Sequence, residues 1–321
     1  MDDEDPIPSI ILNPAQEHVL TQLGAKPKER PEVSIEVQKN LRRRLEETAQ
    51  IFSADIPQGE VLFINKHQLT QIMGCEKKYL AESNEKFEWS IPTARGTLSH
   101  KAIELSVFWH GPKDPLTLTE EALSKASEGT DGLGLWLREL SQGDLAQLRG
   151  DVNARVGSFL ETWPPLQKRW RPMLETPIRV ELAQGRVVLS GKVDLTLGHA
   201  DGNASGKVIV DFKTGKFTPS HRDDLRFYAL LDTVRIGIPP RLVASYYLDR
   251  GEFSPEKITP NVLESCVARV TDGITRLAEI RFKGREATVQ TGPACRWCTI
   301  SDTCDEGQQF LKLDTELNDV I

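Results

Sequence analysis

The 321-residue sequence has no run of about 18 apolar residues, the length that a membrane-spanning helix needs. Its N-terminal segment, MDDEDPIPSI, is acidic and contains neither the basic nor the apolar part of a secretory signal. The phosphate-binding pattern G-x-x-x-x-G-K-[ST] is missing too, so the sequence predicts no nucleotide-driven motor. These absences predict a cytoplasmic protein that has no membrane partner.

Positive charge is not in excess either, since the formal net charge is −7. This balance argues against a protein that coats nucleic-acid duplexes over a wide surface, although it is compatible with a local basic cleft. Cysteine is scarce, with five residues in the chain. In a reducing compartment so few cysteines predict no disulfide framework, and clustered ones indicate a metal or redox site.

Hydrophobic periodicity divides the chain into an N-terminal extension, residues 1–60, and one larger domain, residues 61–321. The extension is predicted to contain one appended helix, within residues 31–52. The domain alternates between helical and strand patterns in the following order: helices at 63–82 and 93–109, a helical insertion at about 112–172, strands at 177–182, 186–197 and 207–213, a helix at 221–237, a strand at 241–248 and a helix at 258–282. This order predicts an α/β (α+β) fold.

The strand-rich region concentrates the charged residues that could carry chemistry. Alternation along the strand 186–197 puts Asp194 on its mostly polar face, and alternation along 207–213 puts Asp211 and Lys213 on a common face. If the two strands pair, the three side chains converge. Two carboxylates on neighbouring strands suit a hard divalent cation such as Mg²⁺, and a lysine beside them can stabilise charge on a phosphate. A plain surface ion pair is the alternative for the D-x-K tripeptide.

Four segments occur in a fixed order along these elements: GTLSH (96–100), GKVD (191–194), VIVDFKTG (208–215) and DLRFYALL (224–231). In this order they resemble the motifs of the PD-(D/E)XK nuclease superfamily, specifically those of its RecB-like branch, over about residues 63–304. The resemblance implies a restriction-endonuclease-like core, in which a central mixed sheet is flanked by helices.

The resemblance also implies roles for single residues. Metal binding is implied for His100, Asp194, Asp211 and Phe212, catalysis for Lys213 together with the same charged residues, and Tyr228 corresponds to the tyrosine of a Q-x-x-x-Y motif. Glu175 resembles the acidic residue that begins the preceding hairpin.

Asp224 departs from the pattern, because the family usually has glutamine at this position. An ionised aspartate can only accept hydrogen bonds, whereas a glutamine amide can also donate them. Two outcomes are open: either Asp224 points away and Arg222 or Arg226 takes over the contact, or Asp224 accepts a bond from a donor such as Lys213. Asp224 lies one helical turn before Tyr228, and this spacing favours the second outcome.

Three of the five cysteines lie in CRWCTISDTC (295–304), and their spacing is Cys295-x2-Cys298-x5-Cys304. Cys75, before the nuclease motifs, is the expected fourth ligand, whereas Cys266 lies between apolar helical residues and is expected to be a small buried side chain. One cysteine before the motifs and three after them resembles the iron–sulfur staple of AddB-like and CRISPR-adaptation nucleases. The resemblance implies a [4Fe–4S] cluster, although four thiolates also suit zinc.

Taken with the resemblance, the sequence predicts a Mg²⁺- or Mn²⁺-dependent DNA nuclease that acts on single-stranded or free ends, in DNA repair, recombination or defence. A helicase or repair protein is a further expected partner. The alternatives are a non-catalytic nucleic-acid-binding or scaffold subunit of a helicase–nuclease complex, and a zinc-stapled structural protein. Candidate DNA contacts are basic and aromatic residues: QKRWR (167–171), Trp89, Arg95, Arg222, Arg226, Arg296 and Trp297.

Overall fold

A six-stranded mixed sheet forms the centre of the structure, a computed structural model that describes residues 11–24, 26–83 and 85–318. The acidic N-terminal segment 1–10 lies outside the described residues. The strands are β1 (Leu62–Ile64), β2 (Met173–Leu182), β3 (Val187–Leu197), β4 (Val208–Lys213), β5 (Leu242–Tyr247) and β6 (Glu252–Lys257). Pairing is parallel for β1 with β3 and for β4 with β5, and antiparallel for β2 with β3, β3 with β4 and β5 with β6. The predicted α/β class with a central mixed sheet is confirmed.

The long strand β3 pairs with two different strands, β1 and β4, along one of its edges, and the place where these two strands meet beside residues 190–194 is called the fork. Strand β2 pairs along nearly the whole of one edge of β3. The other edge is therefore shared, with β1 paired at residues 187–189 and β4 paired at residues 195–197. Because β1 runs parallel to β3 and β4 runs antiparallel to it, the C-terminal ends of β1 and β4 point towards each other. They meet beside residues 190–194 of β3, where neither strand is paired.

Helices cover both sides of this sheet. They are α1 (Pro14–Leu23), α2 (Ile35–Phe52), α3 (Lys66–Gly74), α4 (Glu76–Ser83), α5 (Ile91–Phe108), α6 (Pro115–Ser127), α7 (Gly132–Glu139), α8 (Gln142–Thr162), α9 (Ser220–Ile236), α10 (Pro260–Phe282) and α11 (Asp305–Asn318). One core cluster joins α2, α3, α9 and α10 to the sheet, and a second joins α1, α5 and α8 to it. Strand β3 contributes Val187, Leu189 and Val193 to the first cluster but Leu195 to the second. The change of core falls at Asp194, between two residues predicted to share a face, and opposite Glu175 of β2, whose φ of 48° departs from regular strand geometry.

The N-terminal extension differs from its prediction in two respects. It contains two helices, because α1 precedes α2 and begins with a capping box formed by Asn13 and Gln16. It is also not an appendage, since Leu41 and Leu45 of α2 are fully buried in the first core cluster. These leucines are four residues apart and therefore form one apolar stripe, which packs against α10.

The segment 63–82, predicted as one helix, is a short strand followed by two helices. Strand β1 is only three residues long, too short for an alternating pattern to be recognised. Helix α3 ends at Gly74, the backbone of Cys75 is extended, and α4 begins at Glu76. Strand β6 was missed as well, because its sequence EFSPEK is charged and contains the proline that edge strands tolerate.

The helical insertion is present, as α6, α7 and α8 together with α5 enclose a third core cluster that includes Leu98, Leu118 and Leu148. Within the described part of the chain, no helix is both long and apolar enough to cross a membrane.

Candidate active site

His100 is positioned by the close approach of α5 to the end of β4. A side chain at Gly96 would place its Cβ 3.3 Å from the Thr214 hydroxyl, so glycine lets the helix come close. One turn later on the same helical face, the Nε2 atom of His100 lies 3.0 Å from the carbonyl oxygen of Phe212. The carbonyl can only accept, so Nε2–H donates this bond. This geometry explains the four-residue spacing of the G-T-L-S-H segment.

The other ring nitrogen of His100 faces carboxylates. Its Nδ1 atom lies 3.4 Å from Asp194 Oδ1 and 4.0 Å from Glu175 Oε1. Burial alone would lower the pKa of His100, but Asp194, and to a smaller extent Asp211 and Glu175, outweigh burial and raise it. With Nε2–H committed to Phe212, a neutral ring would present a lone pair to these oxygens. The position therefore favours a cation, either a proton on Nδ1 or a metal ion.

Asp194 is fixed on the fork of the sheet. The Phe212 N–H donates a 2.7 Å hydrogen bond to Asp194 Oδ2, which leaves Oδ1 facing His100. Asp194 is 7% exposed, although its strand face had been predicted to be mostly polar. Phe212 thus contacts Asp194 through its N–H and His100 through its carbonyl, while its ring packs in the second core cluster.

Asp211 lies between two lysines and is 1% exposed. The Nζ atom of Lys66 donates a 3.0 Å hydrogen bond to Oδ1, and the Nζ atom of Lys213 lies 2.7 Å from Oδ2. The Lys213 contact is an ion pair without hydrogen-bond alignment, so Oδ2 is a buried oxygen that has no hydrogen-bond partner. Burial would raise the pKa of Asp211, but Lys66 and then Lys213 overcome burial and lower the pKa to about 2. The carboxylate is therefore ionised at neutral pH.

Lys66 is a site residue that the sequence interpretation missed. It follows β1 directly at the first position of α3, and its ammonium also lies 3.6 Å from Asp224 Oδ2 and 4.9 Å from the centre of the Tyr228 ring. Burial would lower the pKa of Lys66, but Asp211, Tyr228 and Asp224 raise it. A signal was available in the helix-starting pattern N-K-H-Q, in which Asn65 and Gln68 form a capping box. Only the parallel pairing of β1 with β3, however, brings Lys66 to the fork.

Asp224 takes the second of the two positions left open by the sequence. Lys213 Nζ donates a 3.1 Å hydrogen bond to Asp224 Oδ2. Arg226, the alternative contact, is instead held away by Glu256, to which its Nε donates at 3.0 Å. Arg222 lies 5.6 Å above the exposed ring of Phe217. The site therefore contains two lysines and two aspartates in mutual contact.

Tyr228 packs on the strand that carries Asp194. A Cβ atom at Gly191 would lie 2.6 Å from the Tyr228 ring, a distance that no real side chain can adopt. Burial raises the pKa of Tyr228 to about 12, against the opposing effect of Lys66, so its hydroxyl stays protonated. The glycine of the segment S-G-K-V-D is thus explained by the ring that covers it.

Glu175 completes a possible cation site. Its φ of 48° lies in the left-handed region, which is unusual for a glutamate, and the pairing of β2 with β3 skips this residue opposite Asp194. One ligand atom each from His100, Glu175 and Asp194 lies within 4.8 Å of the others. This group, together with Lys192, which pairs with Glu175, lines a cleft of about 500 Å³ between α5 and the helical insertion. Backbone strain of this kind persists where surrounding structure enforces it, as it does in functional sites.

Oxygen and imidazole ligands of this kind suit Mg²⁺ or Mn²⁺. Two observations fit such an ion: His100 Nδ1 faces two carboxylates, and the buried Oδ2 of Asp211 has an ion pair with Lys213 but no aligned hydrogen bond. His100, Asp194, Glu175 and the peptide of Phe212 are the residues that could hold it, with Asp211 beside them. Reaching Asp211 would require the ion to compete with Lys66 and Lys213.

The sequence profile of the PD-(D/E)XK nuclease superfamily matches residues 65–305. The chain belongs to this superfamily. The matched range contains every residue of the fork described above. No curated protein matches the sequence.

Among solved structures, the superfamily member is similar to a protein from Eubacterium rectale named as a presumed exonuclease, with 13% identity, a TM-score of 0.45, and coverage of 77% of this chain and 87% of the other. It is also similar to the protein SSO0001, with 12% identity, a TM-score of 0.37, and coverage of 85% and 98%. Likenesses of this size carry no functional argument, so membership rests on the sequence match.

The cysteines of this PD-(D/E)XK protein separate into two kinds. Cys75, Cys295, Cys298 and Cys304 are partly exposed, whereas Cys266 is buried in the first core cluster. Burial raises the pKa of the Cys266 thiol to about 12, so it is a neutral, unreactive side chain. The expected contrast between Cys266 and the other four is present in their exposure.

Two contacts bear on the expected staple. Glu76, which follows Cys75, accepts hydrogen bonds from Arg285 at 2.9 Å and from the Thr288 N–H at 2.8 Å, so the chain that leads to Cys295 starts beside Cys75. A Cβ atom at Gly307 would lie 3.3 Å from the sulfur of Cys304 and 3.8 Å from that of Cys295. The two sulfurs therefore face the same open space above Gly307.

The remaining candidate DNA contacts do not gather at the fork. Arg95 is paired with Asp151, and Arg296 with Asp314. Trp89 packs edge-on against Phe87, while Trp297 is 74% exposed. The segment 167–171 lies at a separate cavity.

Proposed function

We propose that this PD-(D/E)XK protein is a metal-dependent deoxyribonuclease that hydrolyses phosphodiester bonds and acts as an exonuclease on single-stranded ends. The observation that carries the proposal is the convergence of Asp194, Asp211, Lys213 and His100 at the unpaired fork of β3. A structural role would not require two buried carboxylates and a histidine ring nitrogen to gather at one place in the sheet.

A divalent ion held by these ligands would act as a Lewis acid on the phosphate and would lower the pKa of the attacking water. Side chains of the protein stabilise charge, orient the ligands and attract the substrate. Lys213 is held by Asp211 and Asp224, so its ammonium is fixed where it can stabilise negative charge on the phosphate. The donor bond from His100 to Phe212 fixes the ring tautomer and aims Nδ1 at the cleft. Lys192, at the rim of the cleft, can attract the nucleic-acid backbone.

The proposed [4Fe–4S] cluster is held by Cys75, Cys295, Cys298 and Cys304, as in the RecB-like branch. Four thiolates would also suit tetrahedral zinc, so the proposal rests on the arrangement of these ligands along the chain, one before the nuclease motifs and three after them. The cluster would join both ends of the domain and so stabilise the fold.

The test uses anaerobically purified protein, end-labelled single-stranded DNA, double-stranded DNA and RNA, and either Mg²⁺ or Mn²⁺. We expect progressive shortening of single-stranded DNA from one end, and loss of cleavage in Asp211→Asn. Asp232→Asn is the matched control, because Asp232 is also a buried aspartate paired with a lysine, Lys207, at 2.9 Å. It should lose stability but keep activity. Equal cleavage by wild type and Asp211→Asn would refute the proposed site.

Iron content decides the cofactor independently of cleavage. A cluster protein is brown and contains about four iron atoms for its four cysteine ligands, whereas a zinc site is colourless. Cleavage of internal sites in circular single-stranded DNA would refute the exonuclease assignment while leaving the hydrolytic centre in place. The proposed setting is DNA repair, recombination or defence in the cytoplasm, together with a helicase or repair partner.

A further inference from the structure

A cavity of about 250 Å³ lies at the Val208 end of β4, away from the end of this strand that carries Asp211. Its walls come from α1, from the segment between the helical insertion and β2, and from the loop between β3 and β4. Part of its lining is apolar: Leu20, Leu23, Trp170, Leu197 and Val208. Trp170 is half-buried, so one region of its indole remains available inside the cavity.

Three arginines add positive charge to the lining. Arg30, Arg169 and Arg241 contribute to it, and among the residues that the structure describes none of them has a carboxylate within 4.0 Å. The Nε atoms of Arg30 and Arg241 are buried and have no hydrogen-bond partner. Burial lowers the pKa of Arg241, and the neighbouring charge of Arg30 lowers it further. Two guanidinium groups that repel each other in a partly buried place are unfavourable unless an anion joins them.

The backbone beside Arg30 is shaped for close approach. A Cβ atom at Gly206 would lie 3.0 Å from Arg30 Nη1 and 2.1 Å from the carbonyl oxygen of His199. Glycine therefore lets the guanidinium lie directly on the β3–β4 loop. Arg241 is held by a hydrogen bond from its Nη2 to the carbonyl of Leu23, so its orientation is fixed as well.

This cavity is distinct from the fork. Val208 packs in the second core cluster, whereas Ile209 packs in the first, so the faces of β4 alternate as expected. Asp211 shares the face of Ile209 and lies three residues beyond Val208, which is about 10 Å along the strand. A ligand in the cavity would not contact the metal ligands.

We propose that the cavity binds a phosphate monoester of nucleotide size, with its phosphate between Arg30 and Arg241 and its flat apolar part against Trp170. Guanidinium groups bind phosphate oxygens in pairs of parallel hydrogen bonds, which matches two arginines without a carboxylate. An apolar wall with a few convergent polar groups is typical of small-molecule sites. The two arginines alone would suit inorganic phosphate, but the apolar wall of leucine and tryptophan side chains suits the base of a nucleotide.

Calorimetric titration without divalent ions tests the proposal, because the nuclease site is then not loaded. The ligands are inorganic phosphate, adenosine 5′-monophosphate and a single-stranded oligonucleotide that lacks terminal phosphate, all at constant ionic strength. We expect the nucleotide to bind at least about tenfold more tightly than phosphate, and Arg30→Gln to weaken it by at least about tenfold, which corresponds to about 1.4 kcal/mol. Arg42→Gln is the matched control, because Arg42 is an exposed arginine of α2 outside the cavity.

Two further measurements separate the parts of the proposal. Without ligand, Arg30→Gln should melt no lower than wild type, because it removes a repulsion; the same melting curve checks that the variant is folded. Trp170→Leu should keep phosphate binding and lose the preference for the nucleotide. The proposal is overturned if neither phosphate nor nucleotide binds, if both bind equally to wild type, or if Arg30→Gln binds the nucleotide as wild type does. Binding of the oligonucleotide alone would also overturn it, because the arginines would then belong to a nucleic-acid surface.

Discussion

Replacing Lys66 by methionine should tighten the binding of a divalent cation while leaving cleavage intact at saturating metal. Lys66 donates to Asp211 at 3.0 Å, and its positive charge is the largest charge effect that lowers the pKa of this carboxylate. The same positive charge that repels a proton from Asp211 repels a divalent ion at least as strongly, because the ion carries twice the charge. Lys66 therefore competes with the metal.

The magnitude follows from the pKa of Asp211. Its lowering from 3.8 to about 2 is a net effect on the order of 2 kcal/mol, to which Lys66 and Lys213 both contribute against the opposing effect of burial. Loss of one of these two lysine charges should therefore let Lys66→Met bind Mn²⁺ on the order of tenfold more tightly. Without metal the variant should be less stable at neutral pH. A lowered pKa stabilises the fold above the unfolded value, near 4, and this contribution disappears as the pH falls towards about 2.

Mn²⁺ titrations measured by calorimetry, and cleavage rates as a function of Mn²⁺ concentration, check this prediction. Lys101→Met is the control, because Lys101 lines the same cleft but pairs with Glu104 at 2.8 Å. An unchanged Mn²⁺ affinity in Lys66→Met would refute the competition. A rate that stays far below wild type at saturating Mn²⁺ would show instead that Lys66 takes part in the reaction.

The remaining predictions concern four other parts of the site and staple. Asp224→Ala should lower the cleavage rate by about tenfold, or about 1.4 kcal/mol of barrier, because Lys213 loses a hydrogen-bond acceptor, whereas Asp224→Gln should retain appreciable activity. A wild-type rate in Asp224→Ala would show that Asp224 is only a surface charge. Gly191→Ala should lower both the melting temperature and the cleavage rate, since its Cβ would lie 2.6 Å from the ring of Tyr228. A variant equal to wild type in both assays would contradict the close packing of Tyr228 on Gly191. Mn²⁺ binding should weaken as the pH falls through the raised pKa of His100, because a protonated imidazole ring cannot bind the ion. His100→Asn should make the Mn²⁺ affinity less dependent on pH, and an equal pH dependence in both proteins would count against His100 as a ligand. Cys75→Ser should lose iron and stability, while the matched Cys266→Ser should keep its iron; equal iron in both variants would remove Cys75 from the staple.

The sequence was sufficient for those parts of the site that depend on short-range spacing. Asp211 and Lys213 alternate on one strand, and Asp224 and Tyr228 lie one helical turn apart, so each pair shares a face whatever surrounds it. The hydrogen bond expected between Lys213 and Asp224 is present for this reason. The central sheet was predictable for the same reason, because β3 and β4 are long enough to show their pattern.

What the sequence did not predict depends on long-range pairing. Strand β1 has three residues and no periodicity of its own, and only its parallel register with β3 puts Lys66 beside Asp211. The burial of α2 was missed for a related reason. Its charged pattern suggested an exposed helix, and the leucine stripe could be assigned to a core only when α10 was known to cover it.

The presence of Asp224, where the family usually has glutamine, accounts for the presence of Lys66 beside it. With glutamine at position 224, the lysine and aspartate of the D-x-K segment would form one ion pair of zero net charge. Asp224 adds a negative charge that is 14% exposed, and burying it without a partner would be unfavourable. Lys66, 3.6 Å from Asp224 Oδ2, restores the balance, so that Asp211, Asp224, Lys66 and Lys213 carry two charges of each sign. This additional pair adds a positive charge next to Asp211, so we expect this chain to need more divalent ion than a protein that has glutamine at position 224 and no lysine at position 66.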